Sequence, residues 1–218
     1  MMVYPDKLTT IADGFEIYLP DPELVKLTYE KLLGQDPATP FPFWAKIWPS
    51  ARAMVNFLKM EPHWIKGKHI LEIGAGIGLP SLIMAKHAKE LIISDHSPEA
   101  VTLLEKNIQF LGLHHVKAMK IDWNSFPEGF TAETVLLSDI NYAPGQFAAI
   151  LGLIMKLLEQ GITIILTTPQ RITITPFAEA IQPFIRYSAL ETIEEMDKAV
   201  DIRILVLSRN ELMTYLPS

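Results

Sequence analysis

Four acidic residues stand in or just after successive apolar runs in this chain. Glu72 lies in His69-Ile70-Leu71-Glu72-Ile73, which leads straight into Gly74-Ala75-Gly76-Ile77-Gly78. Asp95 ends Leu91-Ile92-Ile93-Ser94-Asp95, 17 positions after Gly78. Asp122, followed by Trp123, ends the next run, and Asp139 follows Val135-Leu136-Leu137-Ser138. Glycines spaced two apart let a backbone turn sharply and approach a ligand closely, because no Cβ intervenes. A loop of this kind, between a buried strand and a helix, holds a nucleotide-like molecule. An acid at a strand tip accepts hydrogen bonds from hydroxyl and amino groups. Singly, such an acid reads as a solvated turn residue; the glycine loop, Asp95 and Asp122, in chain order at the ends of successive strands, read as one site.

Three ligands suit a glycine-rich strand–loop–helix. A phosphate-cradling loop needs Gly-Lys-Ser/Thr, and here Gly78 is followed by Leu79-Pro80-Ser81, so it is rejected. A dinucleotide fingerprint needs Gly-x-Gly-x-x-Gly/Ala. Gly74 and Gly76 fit, but the third required position is Leu79 and the glycine falls one place early. The remaining ligand is S-adenosylmethionine, whose pocket resembles Glu-x-Gly-x-Gly-x-Gly as it stands here. On this reading Gly74, Gly76 and Gly78 make room for the methionine part and Glu72 answers a cation. Asp95 accepts from both ribose hydroxyls, Asp122 from the adenine amino group, and Trp123 packs on the ring. Ser138 and Trp48 complete the set expected against the cofactor.

The elements that must position these residues alternate. Strands are expected at 69–73, 90–94, 116–121, 134–138 and 162–167, with helices at 49–60, from about 79, at 98–112, 145–159 and 175–184. Ser97 caps the helix from Pro98, whose apolar stripe is Val101, Leu104, Ile108 and Leu111. Alternation of this kind means a parallel sheet with helices on both faces. The last two β segments, 185–192 and 200–208, are joined by an acidic turn with no helix between them, so they should pair antiparallel. Before this domain, residues 8–19 read as a hairpin turning at Asp13-Gly14, and Asp21-Pro22-Glu23 opens a helix. Residues 34–43 carry three prolines and cannot be helical. The expected division is an appendage over 1–40 and a main domain over 41–218.

Composition bounds the function. The 218 residues, 49% of them hydrophobic, suffice for a large core. The net charge of −6 argues against binding nucleic acid through phosphates. There is no cysteine, so thiolate chemistry and disulfides are excluded. The six histidines lack metal-ligand spacing and read as surface or satisfied residues. No apolar run approaches the roughly 18 residues of a membrane span, and the N-terminus lacks a signal-peptide pattern. A cytoplasmic protein, off the membrane and of open oligomeric state, is the expectation.

The span from Pro42 to Tyr142 resembles the seven-strand protein lysine methyltransferases, methyltransferase family 16. Three blocks carry the resemblance: Pro42-Phe43-Trp44-Ala45-Lys46-Ile47-Trp48-Pro49-Ser50-Ala51, then Leu71-Glu72-Ile73-Gly74-Ala75-Gly76-Ile77-Gly78-Leu79-Pro80-Ser81, then Asp139-Ile140-Asn141-Tyr142. Ile121-Asp122-Trp123 matches a further common block. The resemblance implies a Rossmann-like α/β fold: a seven-stranded, mostly parallel sheet of order 3-2-1-4-5-7-6 with strand 7 antiparallel. Where the family has an apolar pair or a cysteine, this chain has Asn141, which is suited to orienting an amide or amine.

Methyl transfer from a sulfonium is an in-line displacement, in which the protein aligns the partners and excludes water. A lysine nucleophile, of pKa about 10.4, must first lose its proton. Asp139 is the candidate for binding and deprotonating the amine, with Tyr142 shaping the channel and Trp44 and Asn141 facing the substrate. Trp44, Trp48 and Tyr142 would add cation–π attraction. Spaced four apart, Trp44 and Trp48 also read as a core stripe at the head of a helix. Gln170-Arg171 is a further candidate for the channel. The leading expectation is lysine methylation on a protein. The alternatives are a small amine or nicotinamide-like heterocycle as substrate, or a non-catalytic protein that keeps the cofactor fold.

Overall fold

The computed structural model describes residues 4–11, 14–127, 129–140, 144–169, 176–195 and 198–210. Its centre is set by the most apolar strands. β3 (His69–Ile73) pairs in parallel with β4 (Glu90–Asp95) on one side and β6 (Thr134–Ser138) on the other. β5 (Val116–Lys120) flanks β4. β7 (Thr163–Pro169) flanks β6, and β9 (Lys198–Leu207) then lies antiparallel between β7 and β8 (Ile185–Glu195). The order β5-β4-β3-β6-β7-β9-β8 is the expected 3-2-1-4-5-7-6 when the sheet's own strands are counted.

Side chains alternate between the two faces, as the period of a strand requires. Ile70, Leu136 and Ile165 join one buried cluster with Met54, Leu58, Leu82 and Leu104. Leu71, Ile73, Val135, Leu137, Ile164 and Leu166 join the other with Ile154, Leu157 and Leu158. The helices supplying those partners are α2 (Pro49–Met60), α3 (Leu79–Met84) and α4 (Pro98–Phe110) on the first face, and α5 (Phe147–Glu159) on the second. α6 (Pro176–Ile181) adds Phe177 and Ile181 to the second cluster. Both faces are therefore covered, which is why these strands read as continuous apolar runs.

The N-terminal hairpin, β1 (Asp6–Thr10) with β2 (Glu16–Pro20), is bound to the domain rather than hanging from it. Ile17 is fully buried in the first cluster. Asn107 of α4, itself fully buried, accepts from the Tyr18 N–H at 2.7 Å and donates to the Tyr18 carbonyl at 3.0 Å. Lys106 sits 3.7 Å from the centre of the Tyr18 ring and pairs with Asp6. α1 (Pro22–Leu33) begins as expected, the Asp21 carboxylate accepting from the Glu23 N–H at 3.1 Å. It buries no residue fully.

Two local expectations are corrected. Glu194 and Glu195 belong to β8, paired with Ala199 and Lys198, and not to an acidic turn. Edge position explains this: half of the strand faces solvent, where charged residues are tolerated. Trp44 and Trp48 do not share a helix. Trp44 lies in a 3-10 turn, Phe43–Ala45, and Trp48 is the extended residue that precedes α2. Pro49 fixes that boundary, since the residue before a proline is driven out of helical geometry. Among the described residues, no helix is long and apolar enough to cross a membrane.

Candidate active site

The sheet order reverses between β3 and β6, and a crevice opens there at the carboxyl ends of the strands. Register sets its rim. Ile73 lies opposite Ser94 and Leu137, so the next residues along, Gly74, Asp95 and Ser138, come level at the mouth. The cleft contains about 850 Å³ of space, open solvent at its mouth included, and all three of these residues line it.

The glycine loop forms the floor. Gly74, Gly76 and Gly78 have φ of 66°, 54° and 72°, the left-handed region that disfavours a Cβ. The space around each is also filled, and by protein. A Cβ on Gly74 would stand 3.1 Å from both Ile140 and Trp123. On Gly76 it would meet the Trp44 carbonyl oxygen at 3.0 Å, and on Gly78 the Leu104 side chain at 2.5 Å. The loop's N–H groups are largely spent inside the fold. Ala75 donates to the Ser94 carbonyl at 2.9 Å, Gly78 to the Ala75 carbonyl at 2.8 Å, and Gly76 to the Asp95 carboxylate at 2.8 Å. A phosphate cradle needs those donors to be available, so the loop geometry agrees with rejecting phosphate.

Asp95 is buried at the tip of β4 and braces both sides of the site. One oxygen accepts from Gly76, the other from the Ser97 N–H at 2.9 Å. His96 Nδ1 lies 3.3 Å from the same oxygen that Ser97 uses. This hydrogen bond holds the imidazole pKa above its ordinary value, against the opposing effect of partial burial. Asp139 stands across the cleft, 7% exposed. It has a φ of 52°, the one non-glycine residue described in the left-handed region. Asp tolerates that conformation better than most residues. Its N–H donates to the Thr167 carbonyl at 2.9 Å, which ties the turn after β6 to β7. The left-handed turn thus lies at a strand's carboxyl end, beside the cleft.

Aromatic residues make the walls. Trp123 closes one side. Its buried Nε1 has no hydrogen-bond partner among the described residues. Phe43, Trp44 and Trp48 form the other side, with Trp48 Nε1 donating to the Phe43 carbonyl at 2.9 Å. That bond closes the segment 43–48 on itself, and the Trp44 backbone lies against Gly76 of the loop.

Of the residues singled out from sequence, the structure brings Trp44, Trp48, Gly74, Gly76, Asp95, Trp123, Ser138 and Asp139 to the cleft. Glu72, Gly78 and Asp122 do not line it. Glu72 lies behind the loop, 1% exposed, accepting from the Ser81 N–H at 3.2 Å. Asp122 is exposed and accepts from the Asn124 N–H at 2.9 Å, capping the turn that presents Trp123. Asn141, Tyr142 and the Gln170-Arg171 pair lie outside the described residues. The cleft also takes in Lys46, Ile47, His96 and Ile140. Adjacency to Trp48, Asp95 and Asp139 was the available signal for them.

Comparison with known proteins agrees with this geometry. Residues 43–186 match the family described as lysine methyltransferase. A calmodulin-lysine N-methyltransferase of Arabidopsis thaliana is 37% identical over 83 residues, covering 35% of this chain and 27% of that protein. The histone-arginine methyltransferase METTL23 of Homo sapiens is 31% identical over 121 residues, covering 53% and 64%. The chain thus spans less than two thirds of either relative. Among solved structures, the N-methyltransferase NodS from Bradyrhizobium japonicum WM9, in complex with S-adenosyl-L-homocysteine, superposes with a TM-score of 0.59. It is 15% identical, and the match covers 83% of this chain and 98% of that one. At that identity the likeness is one of fold.

Proposed function

Because the chain belongs to the lysine methyltransferase family, whose cofactor is S-adenosylmethionine, we propose that it methylates a side-chain nitrogen, foremost a lysine, on a protein substrate. The observation that carries this reading is Asp139: a buried carboxylate, held in a strained turn at the end of β6, facing a cleft with aromatic walls. The donor set suits the cofactor. Asp95 keeps acceptor capacity for ribose hydroxyls beyond its two backbone bonds. Trp123 offers a flat apolar face, and the loop leaves no phosphate site. When bound, the cofactor supplies an electrophilic methyl group on a sulfonium.

The chain's own residues do the rest. Asp139 accepts a hydrogen bond from the incoming ammonium, lowers the cost of bringing it into an apolar cleft, and takes its proton. Trp44, Trp48 and Phe43 exclude water and favour a cationic amine through their ring faces. The names of the relatives, which specify lysine in one and arginine in the other, support a protein nitrogen as the class of acceptor.

The test uses Asp139→Asn, which keeps size and polarity and removes the base. Calorimetry should show S-adenosylhomocysteine binding within about threefold of wild type. Transfer of labelled methyl from S-adenosylmethionine to lysate proteins should fall by about 10² or more. Label found only in the small-molecule fraction of wild type would overturn the protein-substrate reading.

A further inference from the structure

The cleft is lined by two carboxylates, and the cofactor brings an anion as well as its cationic groups. Its amino-acid end carries an α-carboxylate, which must enter a space already lined by Asp95 and Asp139. A carboxylate brought between two others needs a cation or several N–H donors. The loop supplies few, since the N–H groups of Ala75, Gly76 and Gly78 are engaged. Among the described lining residues the basic side chains are His96 and Lys46. His96 is committed to Asp95.

Lys46 is placed differently. It lies on the 43–48 segment that crosses the loop at Gly76. Its Nζ is 4.8 Å from the centre of the Trp48 ring and 3.4 Å from a Glu195 carboxylate oxygen. Both partners of that ion pair are partly exposed. Such pairs are weak and readily exchanged, and a lysine is a point charge on a flexible stem. We propose that Lys46 is the counter-ion of the cofactor's α-carboxylate, and that Glu195, at the end of β8, holds it until the cofactor arrives. This rests on the cofactor reading of the cleft given above. Binding then exchanges one carboxylate partner for another over the Trp48 ring and releases Glu195.

The experiment compares two ligands by calorimetry on the full chain. S-adenosylhomocysteine has the amino-acid end; 5′-methylthioadenosine keeps the adenosine and sulfur and lacks it. Lys46→Met should weaken the first by about tenfold and leave the second within about twofold, while Lys46→Arg restores most of the loss. Glu195→Gln should tighten S-adenosylhomocysteine by about threefold and leave methylthioadenosine unchanged. Raising salt should erase the difference between wild type and Lys46→Met. Equal losses for both ligands, or no loss for either, overturn the assignment of Lys46. Wild type binding neither ligand would instead overturn the cofactor reading beneath it.

Discussion

Glu72 gives the most direct measure of how the glycine loop is held. It is buried under the loop, one oxygen accepting from Ser81 and the other, Oε1, without a partner among the described residues. Burial pushes its carboxyl from the ordinary 4.5 up to about 7; the Ser81 hydrogen bond opposes this and the negative charge of Asp95 adds to it. The folded state therefore holds the proton more tightly than the unfolded chain. Stability is greatest below the unfolded value, falls as pH rises from about 4.5 to about 7, and is level above. Over that window Glu72 alone removes about 3 kcal/mol. Glu72→Gln keeps a carbonyl for the Ser81 N–H and cannot ionise. Its amide NH₂ replaces an oxygen that has no partner, a cost of about 1–3 kcal/mol at every pH. The two proteins can thus have similar stability near neutrality, and the slope distinguishes them. Urea unfolding at half-unit steps from pH 5 to 8 should show wild type losing more stability than the variant. His96 also favours the folded state in its protonated form, but it is present in both proteins and cancels. Parallel profiles, within about 0.5 kcal/mol across the range, would refute the claim that Glu72 is protonated beneath the loop.

Three further substitutions test the packing. Gly78→Ala puts a Cβ 2.5 Å from Leu104 at a φ of 72°, and should cost about 2–4 kcal/mol. Gly14→Ala, at a φ of 74° with open space around it, should cost only about 1 kcal/mol; equal losses in thermal melts would show that strain alone, not crowding, keeps Gly78. Asn107→Leu removes the two bonds to Tyr18 and should cost about 2–3 kcal/mol. Hydrogen exchange should quicken over 16–20 while β3 stays protected; uniform quickening would mean that the brace stabilises the whole domain.

Strands and helices were legible because their buried faces are uniform. Runs such as Val135–Leu137 and Ile164–Leu166, buried on both sides of the sheet, stand out against the capped, amphipathic helices between them. The order of the sheet came from resemblance rather than periodicity, since alternation implies parallel pairing without saying which strand is central. Within the site, residues at strand tips share one cleft because register brings strand ends level: Gly74, Asp95, Ser138 and Asp139 all line it. Residues one step inside or beyond a tip were harder to place. Glu72 shares its strand with the rim but points beneath the loop, and Asp122 turns outward to cap Asn124. Lys46 with Glu195, and Trp44 over Gly76, join segments far apart in the chain; no local pattern encodes such meetings.

The glycines themselves change meaning between the two levels. In sequence, their spacing signals close approach to a ligand. In the fold, each glycine is required by a protein neighbour: Trp123 and Ile140 at Gly74, the Trp44 backbone at Gly76, Leu104 and Ile93 at Gly78. The loop is thus a crossing point of segments, and its Ala75, Gly76 and Gly78 N–H groups are engaged within the fold. What such a loop can offer a ligand is shape, with little hydrogen bonding. On the reading proposed above, recognition then falls to the side chains around it: Asp95 for hydroxyls, Asp139 for the amine, and Lys46 for the carboxylate. It follows that substituting a loop glycine should damage stability and cofactor affinity together, whereas substituting Lys46 should alter affinity for one end of the cofactor and leave the fold intact.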